Sequence, residues 1–334
     1  MADLVIDMND ARPIWTRPES FVAEISAALP ADWSMVVLDV PSEGTGDGAT
    51  RADPQVLEAV RDATVYMGFG IAAEVLDGAP HLRWVHSGSA GVASSITPSM
   101  LEHRPIFTNS AGLHGIPMAE SVLGMLLHFT RGFDYAVRAQ SSSQWNTGSF
   151  YAANAPLREL SDLTVGIVGY GGIGREIGRR LEALGSRVIG IGRSTDKSRG
   201  DLHALLRDSD AVVLTAPDTP ETRGMINAEA LDSMKPGAVL INVSRGALVD
   251  EPALVEALER GHLRGAGLDV FATEPLPAES ALWALPNVLV TPHVSPVSRG
   301  YWRRQTELTV HNLRAFAEGR IDEMRNVVDL EAGY

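Results

Sequence analysis

The sequence predicts an α/β protein built as two doubly wound parallel-sheet units. Three observations carry this reading. Short apolar runs alternate with helical stretches along almost the whole chain, which is the pattern of parallel strands joined by crossover helices. A glycine-punctuated turn, "VGIVGYGGIG" (165–174), follows one such run at mid-chain rather than near the start. At 334 residues, 45% hydrophobic and 21% charged, the chain is long enough for two cores of ordinary globular composition.

Taken in order, "MVVLDV" (35–40), "TVYMGFG" (64–70), "LRWVHSG" (82–88) and "PIFTN" (105–109) read as strands, with helices such as Gln55 to Arg61 between them. "SEGTGDG" (42–48) has the composition of a surface loop. One long helix, Met118 to Gln140, begins behind Pro117, and a loop (141–156) leads from it to the strand Thr164–Val168. The rhythm then resumes with "RVIGIG" (187–192), "AVVLTAP" (211–217), "AVLINVS" (238–244), "GAGLDV" (265–270) and "VLVTPH" (288–293). After His293 only one long helix (Tyr301 to Glu318) and a tail remain. They are too short for a domain and are expected to pack back onto the first unit.

A net charge of -14 with no basic stripe argues against nucleic acid as a partner. Zero cysteine excludes disulfides, thiolate metal sites and thiol nucleophiles, and no metal site is expected. The start, "MADLVIDMND", lacks the basic and apolar regions of a signal peptide, and no apolar run approaches the ~18 residues that a membrane span needs. The expected location is the cytoplasm, with no membrane partner.

The bare G-x-G-x-x-G pattern is weak, because 32 glycines in this length produce it by chance about 0.3 times. Its context strengthens it. A buried strand precedes the turn, and Ile173, Ile177, Leu181 and Leu184 follow at helical spacing. A helix start of this kind aims free N–H groups and the positive end of the helix dipole at an anion. Gly169 allows the tight turn, Gly171 lets a pyrophosphate approach the backbone, and Gly174 lets helix and strand pack closely. The turn reads as a dinucleotide site.

In an NAD site an acidic residue about 20 positions on holds the ribose hydroxyls. Here the strand 187–192 ends on Gly192, followed by Arg193 and Ser194. Without the carboxylate a 2′-phosphate is not repelled; Arg193 can fork onto it and Ser194 can donate to it. NADP(H) is therefore expected over NAD(H), with NAD as the alternative cofactor.

Three more segments place a polar residue at the carboxyl end of an apolar run, the edge where open parallel sheets bind ligands. They are "LINVSRGALVDE" with Arg245, "GLDVFATEPL" with Asp269 and Glu274, and "VLVTPHVSP" with His293. Each alone is unremarkable. Together they supply an imidazole that exchanges a proton near neutral pH, a carboxylate to orient its ring and stabilise its protonated form, and a guanidinium fork for a carboxylate or carbonyl. With a hydride-carrying dinucleotide, this set suits interconversion of a 2-oxo acid and a 2-hydroxy acid. Acyl transfer does not fit, since no G-x-S-x-G elbow is present.

From about Leu82 onward the chain resembles the D-isomer-specific 2-hydroxyacid dehydrogenases. The resemblance rests on "SAGV" (89–92), "AGLHGIPMAE" (111–120), "VGIVGYGGIG" (165–174), "TPETRGMINAEALDSMKPGAVLINVSRGALVDEPAL" (219–254), "GAGLDVFATEPLP" (265–277), "TPH" (291–293) and the tail 311–329. It implies two Rossmann-like domains. A dinucleotide domain (106–295) is inserted into a discontinuous substrate domain (1–105 plus 296–334). It also implies that Arg245 binds the substrate, that His293 is the acid/base and that Glu274 is its partner. Ala90 and Gly91 would offer backbone N–H groups to the substrate carboxylate. The implied cofactor contacts are Gly169, Gly171, Gly172, Ile173, Gly174, Arg193, Ser194, Pro217, Thr222, Val243, Arg245, Asp269 and His293. A homodimer formed through Ala119 to about Tyr151 is implied as well; Val122, Leu123, Leu126, Phe129 and Phe133 exceed one buried face there, and Trp145 stands in a polar loop.

The chain departs from the family pattern in three places: Ala93 replaces an Asp, Asp218 takes a usually apolar position, and "GRS" (192–194) replaces the acidic residue. The leading reading is an NADP-preferring reductase of a small 2-oxo acid of the glyoxylate/hydroxypyruvate type. Two alternatives share the scaffold: a dinucleotide-sensing corepressor, and an oxidiser of another small anion such as phosphite. Formate oxidation is disfavoured by Glu274, where formate dehydrogenases carry Gln.

Overall fold

A computed structural model describes residues 3–41, 51–153, 155, 157–192 and 202–331. The loop expected at 42–48 lies outside these residues, as do Arg193 and Ser194. The chain divides into one unit of residues 1–114 and 297–334 and a second of 115–296, so the second is inserted into the first.

The first unit carries a five-stranded sheet: β1 (Leu4–Asp7), β2 (Met35–Val37), β3 (Val65–Gly68), β4 (Trp84–Ser87) and β5 (Ile106–Asn109), in the order β2-β1-β3-β4-β5. Every pairing is parallel. Since β5 pairs with β4, the first crossing falls after residue 114, whereas the sequence placed it at 105/106. Strand β1 is absent from the sequence reading; "LVID" is a short apolar run beside acidic residues, and only its pairing between β2 and β3 marks it.

Side chains alternate across this sheet as a two-residue period requires. Leu4, Ile6 and Met8 enter one core, together with Trp84, Tyr301, Trp302, Leu313 and Phe316. Val5, Tyr66, Val85 and Phe107 enter the opposite one. The helix Tyr301–Ala317 thus returns to the first unit, as expected from its isolation in sequence. A buried polar chain secures it. Gln305 Nε2 donates to His86 Nε2 at 2.7 Å, Ser110 Oγ donates to Gln305 Oε1 at 2.7 Å, and His86 Nδ1 lies 2.8 Å from Thr108 Oγ1. Burial without a compensating charge pushes the His86 pKa down to about 3, so the ring is neutral and its Nδ1 carries the proton.

The second unit has six strands: β6 (Thr164–Val168), β7 (Arg187–Ile191), β8 (Ala211–Leu214), β9 (Ala238–Asn242), β10 (Leu263–Leu268) and β11 (Val288–Val290), in the order β11-β10-β9-β8-β6-β7. All pairings are again parallel. Strands β8 and β9 are buried at every residue, as near-continuous apolar runs covered on both faces should be. Val212, Leu214 and Leu240 point into one core; Val213, Val239 and Ile241 point into the other, where Val122, Leu126 and Phe129 meet them. The topology reverses between β6 and β8, which makes the carboxyl ends of these two strands the expected ligand crevice.

The long helix read over 118–140 is two helices, Gly115–Thr130 and Phe133–Ser141. Gly132 breaks it with φ 70°, a left-handed conformation that a glycine adopts without strain. Among the described residues no helix is long and apolar enough to cross a membrane, and no group of three or more metal-ligating side chains assembles.

Candidate active site

The glycine turn joins β6 to the helix Gly172–Ala183 at the reversal point. Gly169 has φ 102°, and a Cβ there would lie 2.4 Å from the Ala216 backbone nitrogen. A Cβ on Gly174 would lie 2.5 Å from the Gly169 carbonyl oxygen. Only glycine fits either place. At Gly171 and Gly172 a Cβ would meet nothing within 4 Å, so the backbone faces open space where an anion can approach. The helix has no side-chain cap, and its first intrahelical bond comes from Arg175 N–H to Gly171 O at 2.9 Å. Its first-turn N–H groups are therefore available to a ligand. Ile173 packs on the core beneath.

Pro217 and Thr222 lie in the loop that follows β8. Thr222 Oγ1 donates to Pro217 O at 2.7 Å and accepts from Thr219 N at 2.8 Å, which closes this loop on itself. Asp218, an unusual residue here, is held by Arg223 through Nε at 2.8 Å and Nη2 at 3.1 Å. The paired guanidinium offsets its negative charge.

Arg245, Glu274 and His293 follow three neighbouring strands, β9, β10 and β11. Val243 is buried at the end of β9. Asn242 organises the turn beyond it: Oδ1 accepts from Ser244 N at 3.1 Å and from Ser244 Oγ at 2.9 Å, and Nδ2 donates to Arg245 O at 2.9 Å. Arg245 Nη1 donates to Ser244 O at 2.8 Å.

Asp269 is fully buried and acts as an anchor for the chain carrying the imidazole. Its Oδ1 accepts from Thr291 Oγ1 at 2.6 Å and from Val294 N at 2.9 Å, and its Oδ2 accepts from Ser295 N at 2.9 Å. Its backbone carbonyl accepts from His293 N at 2.8 Å. These bonds hold His293 at φ 54°, a left-handed conformation that a non-glycine residue keeps only where its surroundings fix it. His293 Nδ1 lies 2.8 Å from Glu274 Oε2, while Glu274 Oε1 accepts from Phe271 N at 3.0 Å. A carboxylate only accepts, so Nδ1 bears the hydrogen and Nε2 is left to exchange a proton.

Ala90 and Gly91 lie beyond β4 in the first unit. Sequence reasoning had singled out neither Asn242 nor Thr291, whose short polar side chains act only through contacts formed on folding.

The segment 123–295 matches the NAD binding domain of the D-isomer specific 2-hydroxyacid dehydrogenases. A glyoxylate reductase from Thermococcus onnurineus is 36% identical over 281 residues, covering 80% of this chain and 83% of its own. A glycerate dehydrogenase from Methylorubrum extorquens is 37% identical over 214 residues, 63% of this chain and 67% of its own. Among solved structures, a D-isomer specific 2-hydroxyacid dehydrogenase from Xanthobacter autotrophicus in complex with NADPH and MES is similar over 100% of this chain and 99% of its own, with a TM-score of 0.77 and 30% identity. An NADPH-dependent glyoxylate/hydroxypyruvate reductase from Sinorhizobium meliloti, in complex with NADP and sulfate, is similar over 100% of both chains, with a TM-score of 0.76 and 29% identity.

Proposed function

The chain belongs to the D-isomer-specific 2-hydroxyacid dehydrogenase family, and from that premise we propose that it reduces a small 2-oxo acid of the glyoxylate/hydroxypyruvate type with NADPH. The observation that carries the proposal is the His293–Glu274 pair at 2.8 Å, on the same sheet edge as Arg245 and the glycine turn. The nicotinamide, when bound, supplies the hydride. Gly169 to Gly174 would hold its pyrophosphate; Pro217, Thr222, Val243 and Asp269 would line the rest of the cofactor path. Arg245 binds the 2-oxo acid and polarises its carbonyl. Glu274 keeps the His293 ring oriented through Nδ1. His293 then donates the Nε2 proton to the carbonyl oxygen and takes it back in the reverse direction. In the first unit, the N–H groups of Ala90 and Gly91 take the substrate carboxylate.

Preference for NADPH rests on Arg193 and Ser194, which offer a fork and a hydroxyl to a 2′-phosphate. The Asp218–Arg223 pair supports it by removing an unpaired negative charge from the loop after β8. The test is kcat/KM for NADPH and NADH with glyoxylate and hydroxypyruvate. The expected preference for NADPH exceeds the tenfold that ~1.4 kcal/mol represents. Equal values refute the cofactor assignment, and no turnover with any 2-oxo acid refutes the activity.

The protein is further proposed to be a homodimer. Val122, Leu126 and Phe129 are buried within their own unit, but Phe133 (50% exposed), Val137 (57%), Trp145 (98%) and Tyr151 (84%) are large apolar side chains left exposed within 133–151. Light scattering at micromolar concentration checks this, and a monomeric mass contradicts it.

A further inference from the structure

The loop that follows β4 has three consecutive carbonyls held by the body of the first unit. Gly88 O accepts from the Tyr301 hydroxyl at 2.7 Å, Ser89 O accepts from Ser110 N at 3.1 Å, and Ala90 O accepts from Asn109 Nδ2 at 2.9 Å. Among the described residues the only cis peptide is Glu274–Pro275, so the peptides of this loop are trans. In a trans peptide the C=O of one residue and the N–H of the next point in opposite directions. With the Ser89 and Ala90 carbonyls taken by Ser110 and Asn109, the N–H groups of Ala90 and Gly91 point away from those two partners. The Ser89 N–H faces inward and donates to Ser87 Oγ at 3.2 Å. The N–H groups of Ala90 and Gly91 are two adjacent backbone donors in this loop that a carboxylate can take.

We propose that Tyr301 and Asn109 are positioning residues for substrate carboxylate binding, acting through the Gly88 and Ala90 carbonyls. The proposal rests on the reading that this loop binds the carboxylate of a 2-oxo acid.

Each side chain is fixed for the task. Asn109 Oδ1 accepts from Ala111 N at 3.1 Å, which sets the amide so that its NH₂ faces Ala90 O. Asn326 braces the same residue: Asn109 N–H donates to Asn326 O at 3.1 Å, and Asn326 Nδ2 donates to Asn109 O at 3.1 Å and to Ala111 O at 2.8 Å. The Tyr301 ring is fully buried. It stacks on His114 with centroids 5.4 Å apart and meets Trp15 edge-on at 4.8 Å. Ser110 is braced through its hydroxyl, which lies 3.0 Å from Ser87 O and 2.7 Å from Gln305 Oε1.

The loop is thus oriented from behind by β5 and by the C-terminal segment. A side chain that touches no ligand sets the direction of the donors that do.

Tyr301→Phe removes one hydroxyl and leaves the ring packing in place; Asn109→Ala removes the amide. Both variants are assayed for glyoxylate reduction with NADPH, for calorimetric binding of oxalate in the presence of NADPH, and for thermal midpoint. Losing one hydrogen bond's worth of orientation should raise KM for glyoxylate and Kd for oxalate by about fivefold, with KM for NADPH unchanged. If KM for glyoxylate and Kd for oxalate stay at the parent values in both variants, or kcat alone falls, the positioning role is overturned. A parent protein that neither reduces a 2-oxo acid nor binds oxalate overturns instead the reading of the loop as a carboxylate site, and the positioning role with it.

Discussion

Gly246 follows Arg245 and opens the short 3-10 turn Gly246–Leu248. A Cβ on it would lie 1.8 Å from the Phe271 carbonyl carbon, 2.1 Å from its oxygen and 2.3 Å from Ala272 N. The shortest of these falls 1.6 Å inside the 3.4 Å at which ordinary contact begins, and every atom met is backbone. Gly246→Ala must therefore move one of two segments by more than an ångström. One carries Arg245. The other carries Phe271, whose N–H holds Glu274, and Ala272, whose N–H donates to Glu251 Oε1 at 2.6 Å. Either movement displaces a proposed catalytic group, and misplacement by about 1 Å costs about 10²-fold in rate. Overpacking should also lower stability by about 1–3 kcal/mol, leaving a folded protein. The assay is steady-state glyoxylate reduction with NADPH, with a thermal melt on the same samples. Gly78→Ala, where a Cβ meets nothing within 4 Å, serves as the silent control. A Gly246→Ala protein whose kcat/KM stays within about threefold of the parent would refute the claim that this contact sets the site's geometry.

Glu274→Gln can still accept from Phe271 N but no longer faces His293 Nδ1 with a charge, so kcat for reduction should fall by roughly tenfold or more while the melt is unchanged; an unaltered kcat would make Glu274 structural. His293→Ala should lose about 10²-fold or more in kcat, measured with saturating cofactor, and a smaller loss would remove it as the proton donor. Burial raises the Asp7 pKa from 3.8 to about 6, although Tyr66 donates to it at 2.8 Å. Its contribution to stability is complete below pH 3.8 and is lost as pH rises through 6, so Asp7→Asn should gain up to about 3 kcal/mol in urea unfolding at pH 7.5 and about a third of that at pH 4.5; an equal gain at both would contradict the linkage. His86 acts in the opposite sense. With its pKa depressed from 6.5 to about 3, it contributes stability above pH 6.5 that is lost by about 1.4 kcal/mol per pH unit as the unfolded chain takes up a proton. Between pH 4 and 6 the two groups offset each other in the parent, and unfolding of Asp7→Asn should show the steeper acid slope.

The parallel-sheet architecture was legible because its signal is local. "VGIVG", "AVVL" and "AVLIN" are continuous apolar runs, and such runs are buried on both faces. Several strands were read too long at their carboxyl ends. The run 288–293 pairs only as far as Val290, because Pro292 lacks an N–H and His293 is left-handed. The candidate site's side chains lie on the irregular backbone just past these strand ends. The break at Gly132 was hidden because the apolar spacing continues through it, and "LVID" was hidden by its brevity. In the candidate site, Arg245, Glu274 and His293 were legible only as a set, since each alone is unremarkable but together they supply a cation, a carboxylate and an imidazole at one sheet edge. Tyr301 and Asn109 were not legible, since the carbonyls they hold lie far away in sequence, and a tyrosine opening a helix or an asparagine ending a strand has no local mark of function.

The central claim is that a hydride reaches the 2-carbon of a 2-oxo acid while the protein supplies only the proton. The most direct measurement is reduction of glyoxylate with NADPH deuterated at the nicotinamide 4-position, in ordinary water, followed by mass and NMR analysis of the product. With deuterium on the transferring face, the account predicts glycolate carrying one deuterium, bonded to carbon 2, and formation of it slowed by about 10²-fold or more in His293→Ala. Glycolate formed without deuterium from either face of the labelled cofactor, or no glycolate at all with any 2-oxo acid supplied, would contradict it.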